Sequence, residues 1–425
     1  MKKVGVAILG LGVVGGGTYR ILTENRAFYR DTQGLDVSVE CVLERNPARA
    51  EALGVPAQDV AGSIEEVVSN PNVDIVVEVI GGVEPARTFV LKALRSGKSV
   101  VTSNKELVCK HWYELEEAAK NMNVGLYFEA SCVGGVPIIR TLLDGTQANR
   151  ISSIMGIING TTNYILTRMA EDGRSYPEVL AEAQALGYAE SDPTADVEGF
   201  DAAYKLSILS SLAFNTKIPL ENVSRTGITG VTKEDIYYGK KLGYTLKLLA
   251  IAKRDGMRVE AHVNPTFIPN NHPMANVSDA FNAVYLQGHA CGEMMFMGRG
   301  AGDMPTASAI VSDLLRASST PVHRYPTFIT DPANADGLQK NDDWRCAFYV
   351  RTMAIDAPGV LSRVAATFAD HGVSIAAMQQ KGEKRNGRIP MVFITHRAYE
   401  KDMQQAVREI DQAIAQVESL IRVEG

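Results

Sequence analysis

Cysteine is scarce in this 425-residue chain. Cys41, Cys109, Cys132, Cys291 and Cys346 stand far apart, are odd in number and form no CxxC pair. That spacing excludes a disulfide framework and a thiolate zinc site, and it makes a reducing, cytoplasmic setting the simplest reading. Long apolar runs are missing as well. No stretch approaches the ~20 apolar residues that span a bilayer, so no membrane partner is expected. Lys2, Lys3 and the apolar run behind them imitate a signal peptide, but glycines break the run from Gly10 on and no small-residue cleavage site follows. Positive charge is not in excess: 43 Lys and Arg stand against 49 Asp and Glu, a net charge of −6. The densest basic cluster, Lys381 to Arg385, reads as a loop tip, which leaves no stripe for nucleic acid. Repeats, low-complexity tracts, an HExxH motif and clustered histidines are absent too. What remains is an ordinary globular composition, 45% hydrophobic and 22% charged. The length suggests two to four domains at roughly 150 residues each.

The order of elements points to an α/β chain. Val4 to Leu9 is a continuous apolar run ending in glycine, the pattern of a buried parallel strand. A helix pattern follows from Val13 to about Arg30, then a strand at Val37–Leu43, and strands and helices alternate to Phe128. This is the signature of a doubly wound, Rossmann-type dinucleotide-binding domain over residues 1–149, rejoined by about 300–325. Residues 150–317 read as a mixed α+β catalytic domain, with a long helix expected at Asp201–Ala213. A Pro-, Asp- and Asn-rich stretch at 326–343 has a linker's composition. Residues 344–425 follow a βαββαβ order, the ferredoxin-like arrangement.

Gly10-Leu-Gly12-Val13-Val14-Gly15 follows a strand and opens a helix, the context that the dinucleotide fingerprint requires. Gly10 permits the tight turn, Gly12 lets the backbone approach a pyrophosphate at the helix N-terminus, and Gly15 lets helix and strand pack closely. Glu44 and Arg45 end the second strand. Glu44 can accept from ribose hydroxyls and Arg45 can pair with a 2′-phosphate, so NAD and NADP are both open, with the lean towards NADP. Lys105 opens a helix after another strand; read alone, an exposed helix-start lysine explains it. Glu129 to Pro137 is an irregular turn whose carbonyls suit a hard cation or simply make an elbow between domains. Cys132 within it is a nucleophile candidate with no histidine nearby in sequence. The segment Gly187 to Lys205 holds the densest run of ionisable groups. Asp201 and Lys205 are four apart and share a helix face, and the apolar helix beyond places Lys205 where its proton affinity can be tuned. A second glycine-rich turn, Gly298 to Gly302, either approaches a ligand or returns the chain to the first domain.

Together GLGVVG, VTSNKE, EASCVGGVPIIR, INGTTNYIL, GYAESDPTADVEGFDAAYK and GRGAGDMPTASA resemble homoserine dehydrogenase in order and spacing over essentially the whole chain. Asp356-Ala-Pro-Gly359 within the βαββαβ unit resembles an ACT regulatory domain. The resemblance implies reversible, NAD- or NADP-dependent reduction of aspartate 4-semialdehyde to L-homoserine, serving threonine, isoleucine and methionine biosynthesis. It implies that Lys205 transfers the proton and that Lys105 contacts cofactor or substrate. Glu190 and Asp201 would hold homoserine, with Asp196 nearby. Gly10, Gly12, Val13, Val14, Gly15, Arg45, Lys105, Gly187 and Gly302 would contact the cofactor. Glu129 and the carbonyls of Cys132, Gly134 and Val136 would form a site for Na⁺ or K⁺. Cys132 stands where the family has Val, a change a carbonyl ligand tolerates. Asp356 and Gly359 would bind an amino-acid effector, threonine first, and an ACT domain implies a homodimer or homotetramer. Two other readings exist: a phosphorylating dehydrogenase of aspartate semialdehyde with Cys132 as nucleophile, and a catalytically dead amino-acid sensor.

Overall fold

In the computed structural model, residues 1–319, 323–328, 339–340, 343–380, 384 and 387–425 are described. By their contacts they divide into two compact units, one of Met1–Ile154, Tyr204–Asn222 and Asn282–Asp336, the other of Met155–Ala203, Val223–Phe281 and Gly337–Gly425.

The first unit is built on a five-stranded parallel sheet in the order Leu35–Leu43, Lys2–Leu9, Ile75–Glu78, Ser99–Thr102, Leu126–Tyr127. The order reverses between Lys2–Leu9 and Ile75–Glu78, so the crevice beyond their carboxyl ends is the place for a ligand. The expected first helix is two, Val13–Glu24 and Arg26–Gln33. Asn25 separates them: its amide donates to the Ile21 carbonyl at 3.1 Å, closing the first helix from its own side chain. The chain returns to this unit and brings the helix Asp303–Ser319. Ala307, Ile310, Val311 and Leu314 of that helix share one apolar core with Val4, Val6 and Ile8 of the first strand. Burying them is the physical reason for the return. The opening of the expected linker is also packed. Phe328 meets Trp112 edge to face at 5.5 Å, and the Tyr325 hydroxyl donates to the Val124 carbonyl. Residues 329–338 and 341–342 of that stretch lie outside the described residues, as does most of the basic cluster at 381–385.

In the second unit, Tyr244–Asp255 and Arg258–Pro269 form a long antiparallel hairpin across a Gly256-Met257 turn. The first of these strands was not singled out in the sequence, because a short apolar run does not by itself separate a strand from a buried helix segment. The ACT-type region adds strands in the order Gln416–Val423, Arg345–Ile355, Arg388–Thr395, Ile375–Gln380, all neighbours antiparallel. Helices Val360–Asp370 and Glu400–Ala413 bury Val364, Phe368, Met403 and Ile410 against Phe348 and Phe393 of this sheet. This is the expected βαββαβ arrangement. Arg351, almost fully buried on the first ACT strand, donates to Asp235 of helix Lys233–Lys241 at 2.7 Å.

Candidate active site

The first glycine turn has the geometry its spacing predicts. Gly10 takes φ +96°, a value costly for any residue with a Cβ. A Cβ on Gly15 would stand 2.0 Å from the Gly10 carbonyl oxygen, so helix and strand touch there. A Cβ on Gly12 would meet nothing nearer than the Arg49 guanidinium at 4.0 Å, which leaves that face open to a ligand. Glu44, the expected ribose acceptor, also holds the turn. Its carboxylate accepts from the Leu11 N–H at 2.6 Å and from the Asn46 N–H at 2.8 Å, holding the turn in place. Burial resists its ionisation, but the amide donors and Arg49 outweigh burial and hold the carboxyl below its usual value. Arg45 is exposed beside it. Sequence reasoning missed Arg49, whose approach to Gly12 depends on the short helix Pro47–Ala52.

The neighbouring strand end is organised by Glu78, which is fully buried and was also missed. It accepts from the Thr102 hydroxyl at 2.6 Å and the Ile80 N–H at 2.8 Å. Thr102 accepts from the Asn104 N–H, and the Asn104 side chain caps the helix that Lys105 opens. Burial pushes the Glu78 carboxyl up, and these donors oppose it. Lys105 is half-buried at that capped start.

The elbow of Glu129 is buried. Its two carboxylate oxygens accept from the Ile139 and Arg140 N–H groups at 2.8 and 2.7 Å, and its own N–H donates to Asp313 at 2.8 Å. Burial raises Glu129. It also raises Asp313, to about 7, with the neighbouring Glu129 charge adding to the effect. Val133 and Gly134 turn the backbone left-handed, at φ +57° and +53°. The Gly135 N–H donates to the Arg299 carbonyl at 3.0 Å, and a Cβ on Gly134 would stand 2.4 Å from the Gly300 carbonyl oxygen. The second glycine turn, with Gly302 at φ +122°, therefore packs on this elbow. Cys132 is fully buried, so its sulfur is out of a substrate's reach. Among the described residues no three His, Cys, Asp or Glu side chains gather to hold a metal. A cation here would rely on Glu129 and the carbonyls of Cys132, Gly134 and Val136. Such an all-oxygen set fits a hard monovalent ion.

In the second unit the polar run Asn159–Asn163 meets the acidic segment. The Asn159 amide donates to Asp196 at 2.7 Å and to Asp201 at 2.9 Å, while its oxygen caps the helix Gly160–Asp172. Asp201 is 5% exposed; the helix Phe200–Phe214 then runs into the residues of the first unit, where Lys205 is 9% exposed. The Thr161 hydroxyl donates to the Tyr188 carbonyl, fastening the segment from Gly187, at φ +77°, to exposed Glu190. Below the run, Lys247 donates to the Asn163 side-chain oxygen at 3.1 Å and the Val277 carbonyl at 2.6 Å. Burial lowers its pKa to about 8. In the ACT-type region Asp356 pairs with Lys384 at 2.7 Å, and Gly359 caps the helix Val360–Asp370 at φ +85°.

Sequence profiles agree with this division of labour. The family described as "Homoserine dehydrogenase, NAD binding domain" matches residues 10–129, "Homoserine dehydrogenase" residues 137–315, and "ACT domain" residues 348–415. A homoserine dehydrogenase of Pseudomonas aeruginosa is 42% identical over 432 residues, covering 100% of this chain and 98% of its own. The chain belongs to the homoserine dehydrogenase family. The crystal structure of a homoserine dehydrogenase from Thiobacillus denitrificans is 42% identical, covers 100% of this chain and 99% of its own, and superposes with a TM-score of 0.91. A hyperthermophilic archaeal homoserine dehydrogenase in complex with NADPH is 28% identical over 76% of this chain and 100% of its own, with a TM-score of 0.65. No described helix is long and apolar enough to cross a membrane.

Proposed function

We propose that this homoserine dehydrogenase interconverts L-homoserine and L-aspartate 4-semialdehyde, with Lys205 as the proton-transferring group. The observation that carries the reading is the pair Asp196 and Asp201 bridged by Asn159, with Lys205 one turn beyond Asp201. A nicotinamide supplies and accepts the hydride when bound. The chain's own groups do the rest. The amides of Gly12 to Gly15 at a helix N-terminus suit a pyrophosphate, and exposed Arg45 and Arg49 suit a 2′-phosphate, which favours NADP. The Lys205 ammonium gives a proton to the alkoxide formed on reduction and balances its charge; in the reverse direction it takes the hydroxyl proton. Asp201, Asp196 and Glu190 hold the substrate ammonium and so orient its carbonyl. Lys105 contacts cofactor or substrate, and Gly187 and Gly302 contact the cofactor. Na⁺ or K⁺ at the Glu129 elbow would neutralise a buried carboxylate and stiffen the turn. The ACT domain binds an amino-acid effector, threonine first, and pairs copies into a homodimer or homotetramer.

The test is homoserine-dependent reduction of NADP⁺ and NAD⁺. In Lys205→Ala, kcat should fall by ~10²–10⁴ with cofactor binding kept, the usual range for a general acid–base group. A folded variant with wild-type kcat refutes the assignment.

A further inference from the structure

The carboxyl edge of the parallel sheet carries an acidic group that the proposed chemistry leaves unused. Glu78 ends the strand Ile75–Glu78, whose other residues are buried and apolar. Glu78 is itself 0% exposed, and its hydrogen-bond partners are all neutral. A carboxylate taken out of water and held by neutral donors alone is costly. Packing does not call for it, since Val76 and Val77 fill the same strand with apolar side chains.

What Glu78 holds is specific. One oxygen accepts from the Ile80 N–H at 2.8 Å and the Gly81 N–H at 3.3 Å. The other accepts from the hydroxyl of Thr102, its register partner on the next strand, at 2.6 Å. An ionised carboxylate only accepts, so it dictates which way that hydroxyl points. The hydrogen turns to Glu78, and a lone pair is left for the Asn104 N–H at 3.0 Å. The Asn104 side-chain oxygen then accepts from the Leu107 N–H at 3.0 Å, and its amide donates to the Gly82 carbonyl at 2.5 Å. The relay is closed. It begins and ends on the loop at 80–82 and passes through the N-cap of the helix Lys105–Met122, whose first residue is Lys105.

The loop it fastens is exposed and borders the first glycine turn. Gly81 and Gly82 take φ +83° and +68°, and a Cβ on either would meet nothing within 4 Å. Backbone shape, not packing, calls for glycine there. On the loop's other side, a Cβ on Gly10 would stand 3.1 Å from the Val79 carbonyl oxygen and 3.5 Å from the Ile80 Cα.

We propose that Glu78 is a positioning residue of the reaction. Through Thr102 and Asn104 it sets the helix start that bears Lys105, and through the Ile80 and Gly81 amides it fixes that start relative to the loop beside Gly10. The inference rests on the reading that Lys105 contacts cofactor or substrate, and it says what makes that lysine effective. A misplacement of about 1 Å far from the chemistry can cost ~10²-fold in rate.

The test is a cycle of variants in the full chain. Thr102→Val keeps the shape of the side chain and removes the hydroxyl of the relay, whereas Thr102→Ser keeps the hydroxyl. Each is made alone and together with Lys105→Ala. Homoserine oxidation is measured, and thermal melts establish that each variant is folded. In Thr102→Val, kcat/KM should fall ~10–100-fold, and Thr102→Ser should recover most of that loss. In the Lys105→Ala background, Thr102→Val should change kcat/KM by less than about 3-fold, because no lysine is left to misplace. Glu78→Gln should behave as Thr102→Val does: its NH₂ end must face either the backbone amides or Thr102, where the hydroxyl hydrogen then loses its acceptor. A folded Thr102→Val with wild-type kcat/KM overturns the proposal. So does a loss that multiplies in full with that of Lys105→Ala, or one that Thr102→Ser shares equally, since either makes the relay a matter of packing. Should Thr102→Val fail to fold, Glu78→Gln takes its place in the cycle. A chain without homoserine oxidation, or an unimpaired Lys105→Ala, defeats the reading beneath the proposal and the proposal with it. An active chain impaired by Lys105→Ala and untouched by Thr102→Val defeats the proposal alone.

Discussion

Gly12 and Gly15 sit three residues apart in one turn, and alanine at each should fail differently. At Gly12 the backbone, φ −65°, already suits an L-residue, and an added Cβ meets nothing closer than 4.0 Å. Gly12 is also the N-cap of Val13–Glu24 with no side-chain cap bond to lose. Alanine there should cost the fold no more than about 1 kcal/mol. At Gly15 the new Cβ would lie 2.0 Å from the Gly10 carbonyl oxygen, and Gly10 itself is held by its N–H on the Leu43 carbonyl at 2.8 Å. Backbone must move by about 1 Å, at an overpacking cost of ~1–3 kcal/mol that alanine's better helix propensity offsets only in part. Thermal melts should therefore separate the two, with Gly12→Ala near wild type and Gly15→Ala clearly lower. Cofactor titration, read by NADPH fluorescence, should not separate them. A methyl on Gly12 occupies the space a pyrophosphate needs to reach the turn's amides. Losing one charged hydrogen bond weakens binding ~10–100-fold. If Gly12→Ala binds NADPH as tightly as the wild type, no dinucleotide approaches that amide, and the reading of the turn is wrong.

Two further perturbations test the second unit. Glu190→Gln removes a charge suited to the substrate ammonium, so KM for homoserine should rise while kcat holds; an unchanged KM in steady-state kinetics would take Glu190 out of the site. Lys247 has its pKa lowered by burial from 10.5 to about 8. Below pH 8 the folded chain bears the cost of a buried ammonium, and between about 8 and 10.5 the unfolded chain holds the extra proton. Stability should therefore rise with pH across that window, by up to ~3 kcal/mol. Lys247→Met should lack this component of the rise when melts at pH 7.5 and 9.5 are compared, and an identical slope in both proteins would show that Lys247 does not titrate there.

The sheet around the first glycine turn was legible because its information is local. A strand, three glycines and a helix start lie within 15 residues, and each glycine has a steric reason that spacing alone expresses. The ACT order was legible for the same reason, since its elements follow one another along the chain. The strand Tyr244–Asp255 was not, because an apolar run with both faces covered and no glycine fingerprint behind it reads equally as a buried helix segment. Long-range pairs were also invisible. Nothing near Glu129 in sequence announces that Asp313 will face it, and nothing near Glu44 announces that its carboxylate will serve the Leu11 amide. The packed start of the supposed linker shows the limit of composition: Pro326 and its neighbours look loose, yet Phe328 has Trp112 to lie against.

The proposed chemistry of the acidic site turns on Asn159, which the sequence carries only inside the motif INGTTNYIL. Asn159 spends both its amide hydrogens on carboxylates, one on Asp196 and one on Asp201, and its oxygen on a helix cap. A lysine or arginine at that position would also bring the two carboxylates together, but it would cancel their charge and compete with an incoming ammonium. A neutral amide orients them without adding a positive charge of its own. It also fixes Asp201, and with it the pitch of the helix turn that ends at Lys205. On the proposed reading, the carboxylates that would hold the substrate are fixed by Asn159 at the start of the same helix that carries Lys205. A displacement of the helix start at Phe200 would be felt by both.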